Sequence, residues 1–458
     1  MNNYMANSLV LRQPKKRELH LLNNIRCGHY FIVFIYAFFA LGAISNIFVF
    51  NLIGLFFLLI VTVFFDVKKT IVALASLTPN NMIVCLSNDS NVRLIGVFYL
   101  ILLIRLLLKG KYYIKIRVIL VYFGVLLISL LHFSQVGIHD FALCAQIITA
   151  IITWGIIIKR SSQKYKYNIY LYFAFGILLM FFGMLVNRVV NNTDRFVALL
   201  DDPNYTSVSF ALLFSASLFF LNKGYKTLNN FVIFLFSIVG GLMTGSRSFL
   251  LSIGVVVLIY CLVGLRNKRA RRVFLFIVVL LLLALVLLFF RVPFVVKVYD
   301  ETIGRTLDLQ SSYHQGAFMD ITSGRVFLWN YYLNQLFSSS PFNIMFGFGL
   351  NYYLEENGGY GLVTHNSFVS GLMGFGIIGT ILIITSYIFL LSSKKPLFRT
   401  AFVNKIIAST VLVSILVGYF FLDGLLDIRL SMYLSLFSFL YTFNFKKPNK
   451  QKVIQKSL

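Results

Sequence analysis

Apolar stretches of about 17 to 25 residues recur along this chain from Tyr30 to Phe443, each long enough to cross the hydrocarbon of a bilayer as a helix. A soluble core has no use for so many. The composition agrees: 59% of residues are hydrophobic, only 12% are charged, and the mean hydropathy is +0.84. These features predict an all-α integral membrane protein, a polytopic bundle of about 12–14 transmembrane helices with one large external loop. The first stretch, from Tyr30, is too long for a signal h-region and lacks a small-residue cleavage pattern, so it reads as an uncleaved first span.

A formal charge of +26 invites a nucleic-acid partner, but the placement of the charges argues against one. The Lys and Arg residues lie in short links between apolar stretches or at the ends, with no basic domain and no basic stripe along a helix. If the links alternate across the membrane with the Lys15-Lys16-Arg17 end inside, 31 of the 41 Lys and Arg fall inside and 13 of the 15 acids fall outside. The charge is then a topology signal, and both termini are predicted to be cytoplasmic in the inner (plasma) membrane. A weak stretch over 70–86, interrupted by Pro79-Asn80-Asn81, must count as a span for the pattern to hold.

The predicted organisation is a cytoplasmic tail (1–29), an N-terminal bundle (30–290), a large external loop (291–364), C-terminal helices (365–443) and a cytoplasmic basic tail (444–458). The loop is rich in Tyr, Asn, Ser, Gly and acids. Within it, Arg325–Phe337 has helical spacing and an apolar face that suits a helix on the membrane surface. Cys27, Cys85, Cys144 and Cys261 lie in or beside apolar stretches without metal-ligand spacing, which makes them packing residues.

The predicted outer basic residues are Arg93, Arg188, Arg195, Arg247, Arg291, Lys297, Arg305, Arg325 and Arg429, eight of nine being arginine. Electrostatic anchoring does not prefer arginine to lysine, whereas bidentate binding of phosphate oxygens does. Pairing with the outer acids or with lipid headgroups is the blander use. His365, in Thr364-His365-Asn366 at the start of a span, is either an interfacial residue or a proton acceptor at headgroup level. Gly371, Gly374, Gly376 and Gly379 follow it, and small residues there permit close packing or leave room for a ligand. Thr244-Gly245-Ser246-Arg247 is a tight turn that starts a helix, a place where backbone N–H groups favour an anion. Asp201-Asp202-Pro203 reads as a helix cap, or as paired carboxylates for acid/base or metal work.

Taken in order, these features resemble the O-antigen polymerase and O-antigen ligase family of bacterial envelope glycosyltransferases. Arg247 with Leu251 is similar to its arginine motif; Gly324-Arg325 with Trp329, then Pro341 and Gly347-Phe348-Gly349, is similar to its loop signature. His365-Asn366 followed after nine residues by Gly376, and then by Gly379, matches the spacing of its closing element. The resemblance implies a metal-independent, inverting transfer without a cofactor, with an undecaprenyl-diphosphate-linked oligosaccharide as donor on the outer leaflet.

On that resemblance His365 is the catalytic base, with His314 the second choice, and Asn366, Asp201 and Asp202 support the site. Arg247 and Arg325, with Arg188, Arg195 and Arg305, hold the diphosphate. Trp329, Tyr352, Tyr353 and Tyr360 stack on sugars. Partners would be membrane lipids and the chain-length regulator and flippase of the same pathway. Polymerisation of a capsule or O-antigen is the expected activity. Ligase-type transfer to another acceptor, a flippase and a non-enzymatic scaffold stand as the rivals.

Overall fold

The computed structural model describes residues 15–87, 94–108, 116–132, 138–191, 196–264, 325–349, 365–391, 402–420 and 427–441, together with a few single positions between them. Among the described residues the chain is helical, without strands. The first seven helices are α1 (Lys15–Ser45), α2 (Phe48–Phe64), α3 (Val67–Leu77), α4 (Ile95–Leu108), α5 (Ile116–Leu131), α6 (Ile138–Arg160) and α7 (Gln163–Asn191). Then follow α8 (Pro203–Lys223), α9 (Thr227–Met243) and α10 (Arg247–Gly264). The later part holds α11 (Arg325–Phe337), α12 (Pro341–Phe346), α13 (Ser367–Leu391), α14 (Phe402–Phe420) and α15 (Ile428–Tyr441). Apart from single positions, the candidate span at 273–290 and most of the external loop, 291–324 and 350–364, lie outside the described residues.

Four helices are long and apolar enough to cross a membrane, within α6, α7, α8 and α13, and eight shorter helices of 10–17 residues are apolar. This is an all-α polytopic membrane protein. Apolar side chains cover its outside as well as its core, with Phe56, Phe64, Leu108 and Phe123 all well exposed, as lipid-facing positions must be.

At the centre runs α8, buried along nearly its whole length. Helices in lipid gain little from the hydrophobic effect against one another and associate through close packing and interhelical hydrogen bonds. The serines of α8 supply those bonds. The Ser215 hydroxyl meets that of Ser414 on α14 at 2.5 Å, and Ser209 pairs with the Tyr433 hydroxyl on α15.

The weak stretch at 70–86 divides as Pro79 predicts. The eleven residues of α3 rise only about 16 Å, and a buried 3₁₀ segment, Thr78–Ile83, continues from its end. Irregular backbone is tolerated at membrane depth where protein surrounds and satisfies it. Here the Thr78 hydroxyl pairs with that of Tyr99 (2.6 Å), and Asn80 Nδ2 donates to the Gly176 carbonyl of α7 (2.9 Å). Near the other end of α2, Arg105 of α4 donates to the carbonyls of Thr62 and Phe65, placing a cation where the helix dipole is negative. Cys85 and Cys144 are buried and Cys261 half-buried, and none is in a disulfide.

The second irregularity is in α13. At Gly376 (φ +63°, ψ −169°) the helix breaks, in a region of conformational space that is essentially glycine-only. A break strands the carbonyls of the preceding turn, and the short segment after α12 takes them up. Phe348 N donates to Met373 O (2.8 Å) and Gly349 N to Gly374 O (3.1 Å). Gly347 has nearly the same conformation (φ +82°, ψ −167°) and faces Gly376 backbone to backbone. A Cβ on Gly376 would lie 2.4 Å from Phe346 N, and one on Gly347 would lie 2.5 Å from Phe375 N. The small residues of this helix therefore serve close packing at Gly376, one of the two uses their pattern allows. Replacing Gly376 or Gly347 by alanine is expected to cost about 3 kcal/mol or more, read as thermal unfolding in detergent. Gly254→Ala in α10, where a Cβ would meet nothing within 4 Å, should be neutral or slightly stabilising.

Candidate functional site

The turn 244–246 starts from the end of α9, with Gly245 at φ +61°, and Arg247 is the first residue of α10. Thr244 is buried and accepts from Ser246 N at 3.3 Å, which closes the turn locally. Against it packs the first turn of α8, where Asp202 is the N-cap, accepting from Asn204 N at 2.7 Å, and Pro203 follows in the first helical turn. Asn204 Oδ1 accepts from the Ser246 hydroxyl (2.9 Å). The hydroxyls of Ser207, Ser246 and Ser248 lie 2.7–3.1 Å from one another. Two helix starts are thereby joined through a buried polar cluster with Arg247 at its edge, half-buried.

A third start joins them. Arg429, in the first turn of α15, has a side chain only 3% exposed. Its Nη1 donates to Asp201 Oδ2 at 2.7 Å, and its Nε donates to Asp427 Oδ2 at 2.9 Å. The Tyr205 ring of α8 lies 4.5 Å from the guanidinium carbon. Of the two readings for Asp201 and Asp202, capping holds for Asp202, while Asp201 is an ion-pair partner. Burial pushes the Asp201 carboxyl up from its ordinary range, opposed by the charge of Arg429. Two carboxylates share one guanidinium, so the buried group carries a surplus negative charge when both are ionised.

The fourth start is that of α13. Asn366 is its N-cap: Oδ1 accepts from Phe368 N (2.9 Å) and Val369 N (3.2 Å). Ser367 Oγ donates to the Leu422 carbonyl (2.6 Å), in the link between α14 and α15 that also contains Asp427. His365 precedes the cap in a left-handed conformation (φ +50°), uncommon for a side chain with a Cβ and often found at functional sites. From there, nine helical residues, Ser367–Phe375, rise about 13 Å to the break at Gly376. The nine-residue spacing between the His-Asn pair and the glycine is thus the length of a half-helix, with the histidine at one end and the clasp with Gly347 at the other.

The remaining predicted residues separate into two groups. Arg325 begins α11, whose buried stripe Leu328, Tyr332 and Leu336 packs on Val369 and Met373 of α13. Trp329 sits edge-on against Phe420 of α14, ring centres 5.4 Å apart. Arg188, near the end of α7, lies 5.5 Å from the Phe196 ring, and its Nη1 is buried without a hydrogen-bond partner among the described residues. Arg195, Arg305, Tyr352, Tyr353 and Tyr360 lie outside the described residues, as do His314 and Arg93.

Sequence reasoning missed the partnership of Arg429 with Asp201 and Asp427. The residues were in view, but only the fold brings positions 201 and 429 together. It also missed His132, whose Nε2 lies 3.0 Å from the Phe346 carbonyl and ties α5 to the glycine clasp.

Chemically, the N-termini of α10 and α15 are each joined to that of α8, the N-terminus of α13 bonds the Leu422 carbonyl, and each of the four favours negative charge. Residues 231–384 match the family described as O-antigen ligase, and that segment contains Arg247, Arg325, His365 and the glycine clasp. No curated protein matches the chain.

Two stability outcomes follow from the charges. Arg429→Ala leaves two buried carboxylates uncompensated and is expected to cost about 3–5 kcal/mol. Asp201→Asn should cost little at neutral pH, because a carboxyl held up by burial favours the folded state more when protonated than when ionised. By the same sign, the stabilisation from Asp201 is present at low pH and is lost as pH rises through its elevated value. Thermal unfolding of the purified protein across pH reads both.

Proposed function

We propose that this chain, which carries the O-antigen ligase domain over residues 231–384, is a polymerase of a bacterial surface polysaccharide. It would transfer a growing glycan from undecaprenyl diphosphate to a hydroxyl of another lipid-linked repeat unit, at the outer face of the plasma membrane with both termini cytoplasmic. The observation that carries the reading is that the matched segment 231–384 holds both the Arg247 turn, bonded to the start of α8, and the His365 turn at the start of α13. One motif suits an anion and the other a proton.

In this mechanism the acceptor hydroxyl oxygen attacks the anomeric carbon as the bond from that carbon to the diphosphate oxygen breaks, with inversion. His365 takes the hydroxyl proton, and undecaprenyl diphosphate leaves carrying the bonding electrons. Arg247 and the start of α10 neutralise the charge that develops on the leaving oxygens, an interaction stronger in the transition state than in the ground state. Arg325, Arg188, Arg195 and Arg305 would extend the anion site. Trp329, Tyr352, Tyr353 and Tyr360 would line the path of the glycan. The cap at Asn366 and the Ser367 bond to Leu422 hold the turn that carries His365, which supports its use as a base.

A broken helix is also found in secondary transporters, where the half-helix end faces a substrate cavity. Here the break is filled by the backbone of residues 345–349. That favours a structural clasp over a transport site.

The test is the length distribution of lipid-linked and surface glycans in cells expressing matched amounts of wild type, His365→Ala and Arg247→Ala. His365→Ala should lower chain extension by roughly 100-fold or more, and Arg247→Ala by roughly 100- to 1,000-fold, with single repeats accumulating on the carrier. Long chains stranded on the carrier would point to ligase-type transfer. A wild-type ladder in both variants would overturn the mechanism.

A further inference from the structure

Arg429 is an arginine that a lipid diphosphate does not explain, because its guanidinium is already committed. It bonds Asp201 at 2.7 Å and Asp427 at 2.9 Å, and its face is covered by Tyr205. Its own backbone N–H donates to Asp427 Oδ1 at 2.8 Å, and the Tyr419 hydroxyl reaches Asp427 Oδ2 at 3.4 Å. The three side chains come from positions 201, 427 and 429, with exposures of 2%, 8% and 3%.

What this ion group holds decides its role. On one side is the first turn of α8, gripped at Asp201 and Tyr205; that same turn holds the Arg247 turn through Asn204 and Ser207. On the other is the end of α14, where the Tyr419 hydroxyl reaches Asp427 and, three residues on, the Leu422 carbonyl receives Ser367 next to His365-Asn366. The charged group thus lies between the α8 turn that meets the Arg247 turn and the end of α14, which meets Ser367 beside His365. Two-pronged bonding by one planar guanidinium fixes direction as well as distance, which a lysine in its place would not do.

We propose that Asp201, Arg429 and Asp427 are positioning residues, which set the Arg247 turn and the His365 turn at the separation that transfer requires. The inference rests on the roles of Arg247 and His365 given above. Group transfer depends on simultaneous alignment of base, acceptor and leaving group, so loosening this clamp lowers turnover. Donor affinity, which comes from the arginines and helix starts themselves, changes little.

The experiment uses purified full-length protein in nanodiscs and lipid-linked repeat units extracted from cells lacking it. Asp201→Asn, Arg429→Lys and Tyr205→Leu are compared with His365→Ala and Arg247→Ala, each at matched thermal stability. Asp201→Asn keeps the side-chain shape, and Tyr205→Leu keeps every charge, so the inference stays testable if Arg429→Lys fails to fold.

For each folded clamp variant we expect kcat to fall roughly 10- to 100-fold while the donor KM stays within about threefold, a smaller shift than half a decade of affinity. The losses in Asp201→Asn/Arg429→Lys should be less than multiplicative, because the two act as a unit. Wild-type kcat in the folded clamp variants, with His365→Ala and Arg247→Ala inactive, overturns the clamp alone. An increase in donor KM without a fall in kcat would make the group part of the donor site and also overturns it. Full activity in His365→Ala and Arg247→Ala would instead remove the reading beneath it.

Discussion

Backbone polar groups inside a bilayer must be satisfied by the protein itself, and the two buried breaks in helix described above follow that rule. The break in α13 frees the Met373 and Gly374 carbonyls, and the amides of Phe348 and Gly349 take them. That exchange pins the segment following α12 to a membrane helix, and the two glycines make it sterically possible. His132 adds a side-chain contact to Phe346, and α11 lays its apolar stripe on the same half of α13. The half-helix that begins beside His365 is consequently held at its far end by the clasp, along its side by α11, and at its near end by the Asn366 cap.

Electrostatics at the joined helix starts follows from the same economy. The N-termini of α8, α10 and α15 are joined by hydrogen bonds and an ion pair, and helix starts favour negative charge. The cluster already holds three acids of its own, Asp202 as a cap and Asp201 and Asp427 against Arg429. Burial opposes ionisation of Asp201, and the neighbouring guanidinium only partly offsets it. Arginines at this end thus divide into two kinds. Arg429 is buried against two acids, while Arg247, at the start of α10, is half-buried.

The sequence made the membrane class and the helix α11 legible because both are periodic or compositional: long apolar runs, and an apolar stripe from Leu328 to Leu336. It also marked the break after Leu77, since Pro79 cannot continue a helix ladder. Arg247, His365 and the Gly376 spacing could be picked out because they sit in short local patterns. What those patterns did not contain was the reason for the spacing, which is the length of a half-helix between a cap and a clasp. Nor could a linear reading pair Asp201 with Arg429 or Gly347 with Gly376, because those contacts depend on helix packing rather than on neighbours in sequence. Trp329 illustrates the limit from the other direction: an aromatic residue that reads as a sugar platform also packs edge-on against Phe420.

On the proposed function, one polypeptide both binds a lipid diphosphate and extends the glycan attached to it. Its most direct test is a reconstitution in which the purified protein receives only undecaprenyl-diphosphate-linked repeat units, with release of undecaprenyl diphosphate and glycan length measured together. One carrier should be released for each repeat added, with chains lengthening in the absence of any other acceptor and without added metal. Carrier release without lengthening, or movement of lipid-linked units across the membrane with neither, would contradict it.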